Sequence, residues 1–132
     1  MRLVKGAKET FGWVVVGSGR KIVIPPRAWE RYQFRAEEEA IFISGSRRSG
    51  GFGLTSRDLL SKFTGLFSEE RFLGYGWFNA NSEVVIPESV PVQPGERLLT
   101  VFGSGAALGF VAHGPIIEEA MQHPELDEYK KE

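Results

Sequence analysis

The sequence predicts a mostly β domain, assembled from two tandem copies of one supersecondary unit and carrying short helices. Three observations point there. Sixteen glycines and seven prolines in 132 residues imply many turns. Short β-branched runs stop at proline, which cannot donate to a strand ladder. Three blocks also recur along the chain in one order. Arg20-Lys21-Ile22-Val23-Ile24-Pro25 matches Ser82-Glu83-Val84-Val85-Ile86-Pro87, and Glu38–Ser46 matches Glu96–Ser104. Gly51-Phe52-Gly53-Leu54 matches Gly109-Phe110-Val111-Ala112. The offset is 62 at the first block and 58 at the other two, so copy two has lost four residues between Pro87 and Glu96. Two copies are too few for a solenoid and fit a pseudo-twofold domain. Copy one covers about 12–66 and copy two about 74–122, followed by a polar tail over 123–132.

In copy one, Trp13–Val16 and Lys21–Ile24 are strands around the turn Gly17-Ser18-Gly19. Pro25-Pro26 ends the second strand, and Arg27 to Tyr32 is a short helix that tolerates proline at its start. Ala40–Ser44 and Phe52–Thr55 are strands joined by the loop Gly45-Ser46-Arg47-Arg48-Ser49-Gly50-Gly51. Thr55 or Ser56 caps a helix over Arg57–Phe63. In copy two, the strands are Tyr75–Phe78, Glu83–Ile86, Arg97–Phe102 and Leu108–Val111. Three prolines between Pro87 and Pro94 remove the helix that copy one has there. A last helix runs from Pro115 to about Gln122, and the tail beyond it is expected to fray. Val14, Val16, Ile22, Ile24, Ile41, Ile43, Val84, Ile86, Leu98 and Val101 are the expected core.

Composition narrows the function classes. With 42% hydrophobic and 25% charged residues the chain is an ordinary globular protein, not disordered, collagenous or coiled coil. The absence of cysteine removes disulfides, thiolate metal sites and thiol catalysis. The opening Met-Arg-Leu-Val-Lys-Gly has no apolar stretch behind its charge, and no apolar run reaches membrane length, so a soluble cytoplasmic protein with no membrane partner is expected. The net charge of −1 hides an asymmetry. Residues 1–66 hold twelve basic and six acidic residues, a balance of +6, whereas 67–132 hold four and eleven, a balance of −7. Such a split marks either an anionic partner for the basic half or two solvated surfaces that attract each other.

The stretch Gly19-Arg20-Lys21-Ile22-Val23-Ile24-Pro25, followed by a short helix and a strand, resembles the AbrB/SpoVT/MazE family. Tyr32 and Phe34 fall where that family places apolar residues. Val92-Gln93-Pro94-Gly95-Glu96 is similar to its apolar-x-Pro-Gly-Asp turn. The resemblance spans roughly 12–54 and 75–111. It implies a swapped-hairpin barrel, which two chains of the family build together and which a tandem repeat would let one chain close by itself. It also implies DNA binding of the transcription-regulator kind. Some positions depart from the pattern: Trp29 and Gln33 stand where the family has arginine and glycine, and Ser82-Glu83 replaces Gly-Arg in copy two. Copy one would then bind alone, or two chains would pair their basic halves as a homodimer, or DNA binding has been lost.

The candidate nucleic-acid contacts are Arg20, Lys21, Arg27, Arg47 and Arg48. Arginine forks match phosphate oxygens, and glycines let backbone N–H groups approach them. The bland reading of Arg47-Arg48 is a hairpin loop with solvated arginines. The equivalent loop of copy two, Gly103-Ser104-Gly105-Ala106-Ala107, is uncharged, which places the site in copy one. No dinucleotide fingerprint or phosphate-binding lysine loop is present. Trp13, Trp29 and Trp77 are expected to pack rather than stack on bases. His113 and His123 with Glu118 and Glu119 form at most a weak metal set, and Glu37-Glu38-Glu39 reads as a solvated turn. No nucleophile elbow or paired-carboxylate motif stands out, so neither enzyme activity nor a cofactor is expected. The reading is a DNA-binding regulator. The alternative is a ligand- or protein-binding barrel that no longer binds DNA, which a discontinuous positive patch on the folded surface would favour.

Overall fold

The computed structural model describes residues 9–45, 50–63, 65 and 67–130. Its β-rich segments form the elements that the turn and proline pattern predicts. Nine strands and three short helices lie among the described residues. β1 (Thr10–Val15) is followed by β2 (Lys21–Val23), α1 (Pro26–Arg31), β3 (Glu39–Ser44) and β4 (Phe52–Ser56). α2 (Arg57–Lys62) leads to β5 (Phe72–Trp77), β6 (Glu83–Val85), β7 (Arg97–Ser104) and β8 (Ala107–Val111). α3 (Pro115–Ala120) and β9 (Glu128–Lys130) close the chain. Pro26 opens α1, where a missing N–H costs nothing. Ser56 caps α2 by accepting from the Leu59 N–H at 3.1 Å. Residues 87–94 carry no helix, in keeping with their three prolines.

The strands do not pair with their neighbours in sequence alone. β1 lies antiparallel to β7, and β5 lies antiparallel to β3. The hairpins β3–β4 and β7–β8 meet through β4 and β8, with Gly53 opposite Gly109. β2 and β6 form a separate antiparallel ribbon, with Ile22 opposite Val84. The large sheet runs β5-β3-β4-β8-β7-β1-β9 and is open, with β5 and β9 at its edges. The hydrogen-bonded ladder thus stops short of the closed barrel that the resemblance implies.

Backbone hydrogen bonds between the two halves come in matched pairs. Ile24 N–H donates to Ser82 O and Ile86 N–H to Arg20 O, both at 2.8 Å. Val16 N–H donates to Glu96 O at 2.9 Å and Phe78 N–H to Glu38 O at 3.0 Å. Gly95 N–H reaches Val16 O and Glu37 N–H reaches Phe78 O, each at 2.7 Å. Left-handed backbone recurs at matched positions too, at Arg20 (φ 64°) and Ser82 (φ 60°), and at Glu37 (φ 65°) and Gly95 (φ 94°).

Alternation of side chains about each strand divides the apolar residues between two faces. The main core lies between the sheet and the ribbon. Val14, Phe42, Leu54, Leu98 and Phe110 meet Ile22, Ile24, Val84 and Ile86 there, with Tyr32, Phe34 and Phe78 at one side. All ten expected core residues are buried. Three of them face the other way: Ile41 and Ile43 lie with Ala107 under Leu60, Phe67 and Phe72, and Val101 lies with Trp13, Leu99 and Val111 under α3. The sheet is therefore covered on both faces, and phenylalanines take the interior places that the β-branched residues leave.

The tail departs from expectation. Instead of fraying, residues 128–130 add to the sheet as β9, parallel to β1. Trp13 N–H donates to Asp127 O at 2.8 Å, and the Arg97 guanidinium bridges Glu128 at 2.9 Å while stacking 4.1 Å over the Trp13 ring. Polar composition concealed this because the segment docks through its backbone. Gly12 makes the approach geometrically feasible: its φ is +128°, and a Cβ there would stand 2.8 Å from Asp127 O. No helix among the described residues is long and apolar enough to cross a membrane.

Candidate functional site

The three predicted DNA contacts that lie among the described residues are held by three different partners. Arg20 precedes β2 in left-handed backbone, and this conformation turns its side chain inward. Its Nε donates to Ile86 O at 3.3 Å, and its terminal nitrogens donate to the carbonyls of Pro87, Val90 and Val92. The guanidinium thereby holds the helix-free loop of copy two, where the Pro87 and Val90 carbonyls also accept from Val90 and Val92 N–H at 3.0 and 2.9 Å. Those donors are not presented to a phosphate. Lys21 lies 3.8 Å from Glu83, whose carboxylate is buried and also accepts from Asn79 Nδ2 at 2.9 Å. Glu83, which stands at the position of Lys21 in the block match, thus neutralises that lysine across the ribbon.

Arg27 and Arg31 stand one turn apart on α1 and share Glu9, at 2.8 and 2.7 Å. Their guanidinium groups lie over the Phe11 and Phe102 rings, at 5.5 and 4.6 Å. Partial burial raises the Glu9 carboxyl pKa, but the hydrogen bonds from Arg27 and Arg31 more than offset this and hold it below the ordinary carboxylate value. Arg27 and Arg31 remain 55% and 50% exposed, so this cationic pair is accessible to solvent. Arg47 and Arg48 lie outside the described residues. Elsewhere, Arg35 meets Glu38, Arg57 meets Glu39, and Lys62 meets Asp58. Among the described residues, carboxylates therefore stand between these cations.

Arg71 is arranged differently, and nothing in its sequence neighbourhood singled it out. It ends the single turn Glu69–Arg71 and donates to Ser44 O at 2.8 Å, with its guanidinium 5.1 Å from the Phe67 ring. Among the described residues no carboxylate pairs with it. It sits in the wall of a cavity of about 340 Å³ on the outer face of the sheet. The cavity lies between the cover formed by α2 and Phe67 and the cover formed by α3. Ile43, Val101, Ala107 and Val111 supply apolar walls, and Ser44, Gly45, Gly103 and Ser104 line it where the two hairpins end. The facing Gly53 and Gly109 form the floor, where a Cβ would stand 2.7 Å from Ile43 Cγ1 and 3.0 Å from Val101 Cγ2. The only sequence hint was indirect: Arg71 stands 62 residues after Glu9, the offset that relates the first blocks of the two copies.

Two further polar features tie neighbouring elements together. The Tyr32 hydroxyl donates to Ser104 O at 2.8 Å and Ala107 O at 2.9 Å, and burial pushes its pKa upward, so it remains a donor. His123 lies between Glu125 at 2.7 Å and Glu119 at 3.2 Å, and hydrogen bonds to these carboxylates raise its pKa. His113 stands apart, its ring against Gly50, where a Cβ would come 2.3 Å from Nε2. In comparisons with known proteins, no family model matches the chain and no curated protein matches it.

Proposed function

We propose that the chain is a non-enzymatic binding module: a pseudo-twofold, swapped-hairpin unit made by one chain, whose ligand is something other than DNA. Support for the architecture comes from exchange. The first strand of each copy pairs with the third strand of the other, in β1–β7 and β5–β3, and β2, β4 and their counterparts β6 and β8 meet as pairs. The matched hydrogen bonds, at offsets of 62 and 58, follow the same relation. Support for the function rests chiefly on Arg20. The residue on which the DNA reading leaned hardest donates to four carbonyls of its own chain. Binding instead has an apolar cavity whose wall holds Arg71, a cation that no carboxylate among the described residues pairs with.

DNA binding is kept as a second reading because one observation favours it. Arg27 and Arg31 are half exposed and share a single carboxylate, leaving one net positive charge beside the predicted set. Exposed ion pairs of this kind contribute only about 0–1 kcal/mol, and a phosphate can displace them.

Labelled duplex DNA, titrated by fluorescence anisotropy across a salt series, separates the two. The proposal expects no binding at low salt beyond that of a charge-matched control protein. Binding whose logarithm falls steeply with salt, and which Arg27→Ala and Arg47→Ala weaken, would overturn it in favour of the DNA reading.

A further inference from the structure

We infer that the outer cavity takes a small amphipathic monoanion, a carboxylate with a short apolar or aromatic body, whose head group meets Arg71. The inference rests on the binding-module reading and names its ligand class. The argument is one of charge and space. At about 340 Å³ the cavity falls at the small end of the range for small-molecule sites, roughly 300–1,000 Å³. Ile43, Val101 and Val111 offer a body of that size contact with carbon and few polar partners. A wholly apolar ligand would leave the Arg71 charge uncompensated as water is expelled from around it, which is unfavourable. One arm of the guanidinium is committed to Ser44 O at 2.8 Å, and the Phe67 ring holds its plane. The remaining N–H groups form a fork suited to a carboxylate. Arg71 is the one cation among the described lining residues, and a single cation fits a single negative charge better than a phosphate dianion. Ser104 Oγ accepts from Ala106 N–H at 3.1 Å and keeps its own O–H to donate.

The test uses the full chain and two defined probes of one shape, 3-phenylpropionate and its neutral amide 3-phenylpropionamide, titrated by isothermal calorimetry and by backbone amide shifts. The acid is expected to bind in a saturable 1:1 manner, with shifts around Val111 and Phe67, about ten- to a hundredfold more tightly than the amide, the usual scale of a hydrogen bond to a charged group. Arg71→Gln should bring the acid down to the affinity of the amide. Ala107→Leu, which fills the cavity and keeps Arg71 in the sequence, should abolish both. Equal affinity for acid and amide, unchanged by Arg71→Gln but lost in Ala107→Leu, would overturn the anion assignment while the cavity stands as a binding site. No binding of either probe, or binding that Ala107→Leu leaves intact, would overturn the site itself.

Discussion

Replacing Arg20 by methionine discriminates most sharply between a surface cation and a structural clamp. Methionine keeps the unbranched stem and removes the guanidinium, so packing is largely retained. What is lost is the set of bonds to the carbonyls of Ile86, Pro87, Val90 and Val92. Each hydrogen bond to a charged group contributes about 1.5–3 kcal/mol when dry. The group is only partly buried, so water recovers part of that, and four acceptors share one cation. Destabilisation of about 3 kcal/mol is the expected total, below the sum of the parts. For a domain of this size it corresponds to a fall in Tm of roughly 10 °C. Urea unfolding followed by tryptophan fluorescence measures it, with an unchanged denaturant slope as the check that both states are preserved. Lys62→Met is the control: its side chain is 57% exposed and pairs with Asp58, itself 42% exposed, one helical turn away, so the change should stay within about 0.5 kcal/mol. An Arg20→Met effect no larger than that of Lys62→Met would refute the clamp and return Arg20 to the surface.

Other outcomes follow from the same geometry. Tyr32→Phe removes one O–H shared by two carbonyls of the β7–β8 turn and should cost about 1 kcal/mol in the same unfolding assay. Gly12→Ala puts a side chain into left-handed backbone against Asp127 O; it should cost about 1–3 kcal/mol and speed amide exchange in β9 before the rest of the sheet. His123 has its pKa raised in the folded state by Glu125 and Glu119, so its contribution is full below the unfolded value near 6.5. That contribution disappears as pH rises through the raised folded value. Stability measured from pH 6 to 8.5 should therefore decline more in the native chain than in His123→Gln, and parallel curves would contradict the pairing.

Much of the fold could be read from local chemistry. Proline after Ile24 and Ile86, glycine in the turns and β-branched runs between them marked strand ends that the structure reproduces. The docking of β9 escaped because it depends on the shape of Gly12 and on Asp127 O, neither of which a polar composition reveals. The site was less legible. Counting Arg20, Lys21 and Arg27 as cations ignored where their side chains turn, and left-handed backbone at Arg20 has no signature in its residue type. Arg71 becomes distinctive only when β3, β4, β7 and β8 bring Ser44, Gly53 and Gly109 beside it. Charge arithmetic sees a residue; only tertiary contact shows whether that residue already has a partner.

The two hairpins that meet at Gly53 and Gly109 carry a consequence for how such a cavity diversifies. A pocket formed where two identical chains join must present the same residue from both sides, so any charge introduced there arrives twice. In the proposed tandem arrangement the halves are encoded separately. Position 71 is arginine beside the cavity, whereas its counterpart, position 9, is a glutamate engaged by Arg27 and Arg31. One molecule then offers one oriented place for a ligand rather than two superimposed halves of a place. Because the linked halves meet within one chain, the place also persists at any dilution, where a pair of separate chains would come apart.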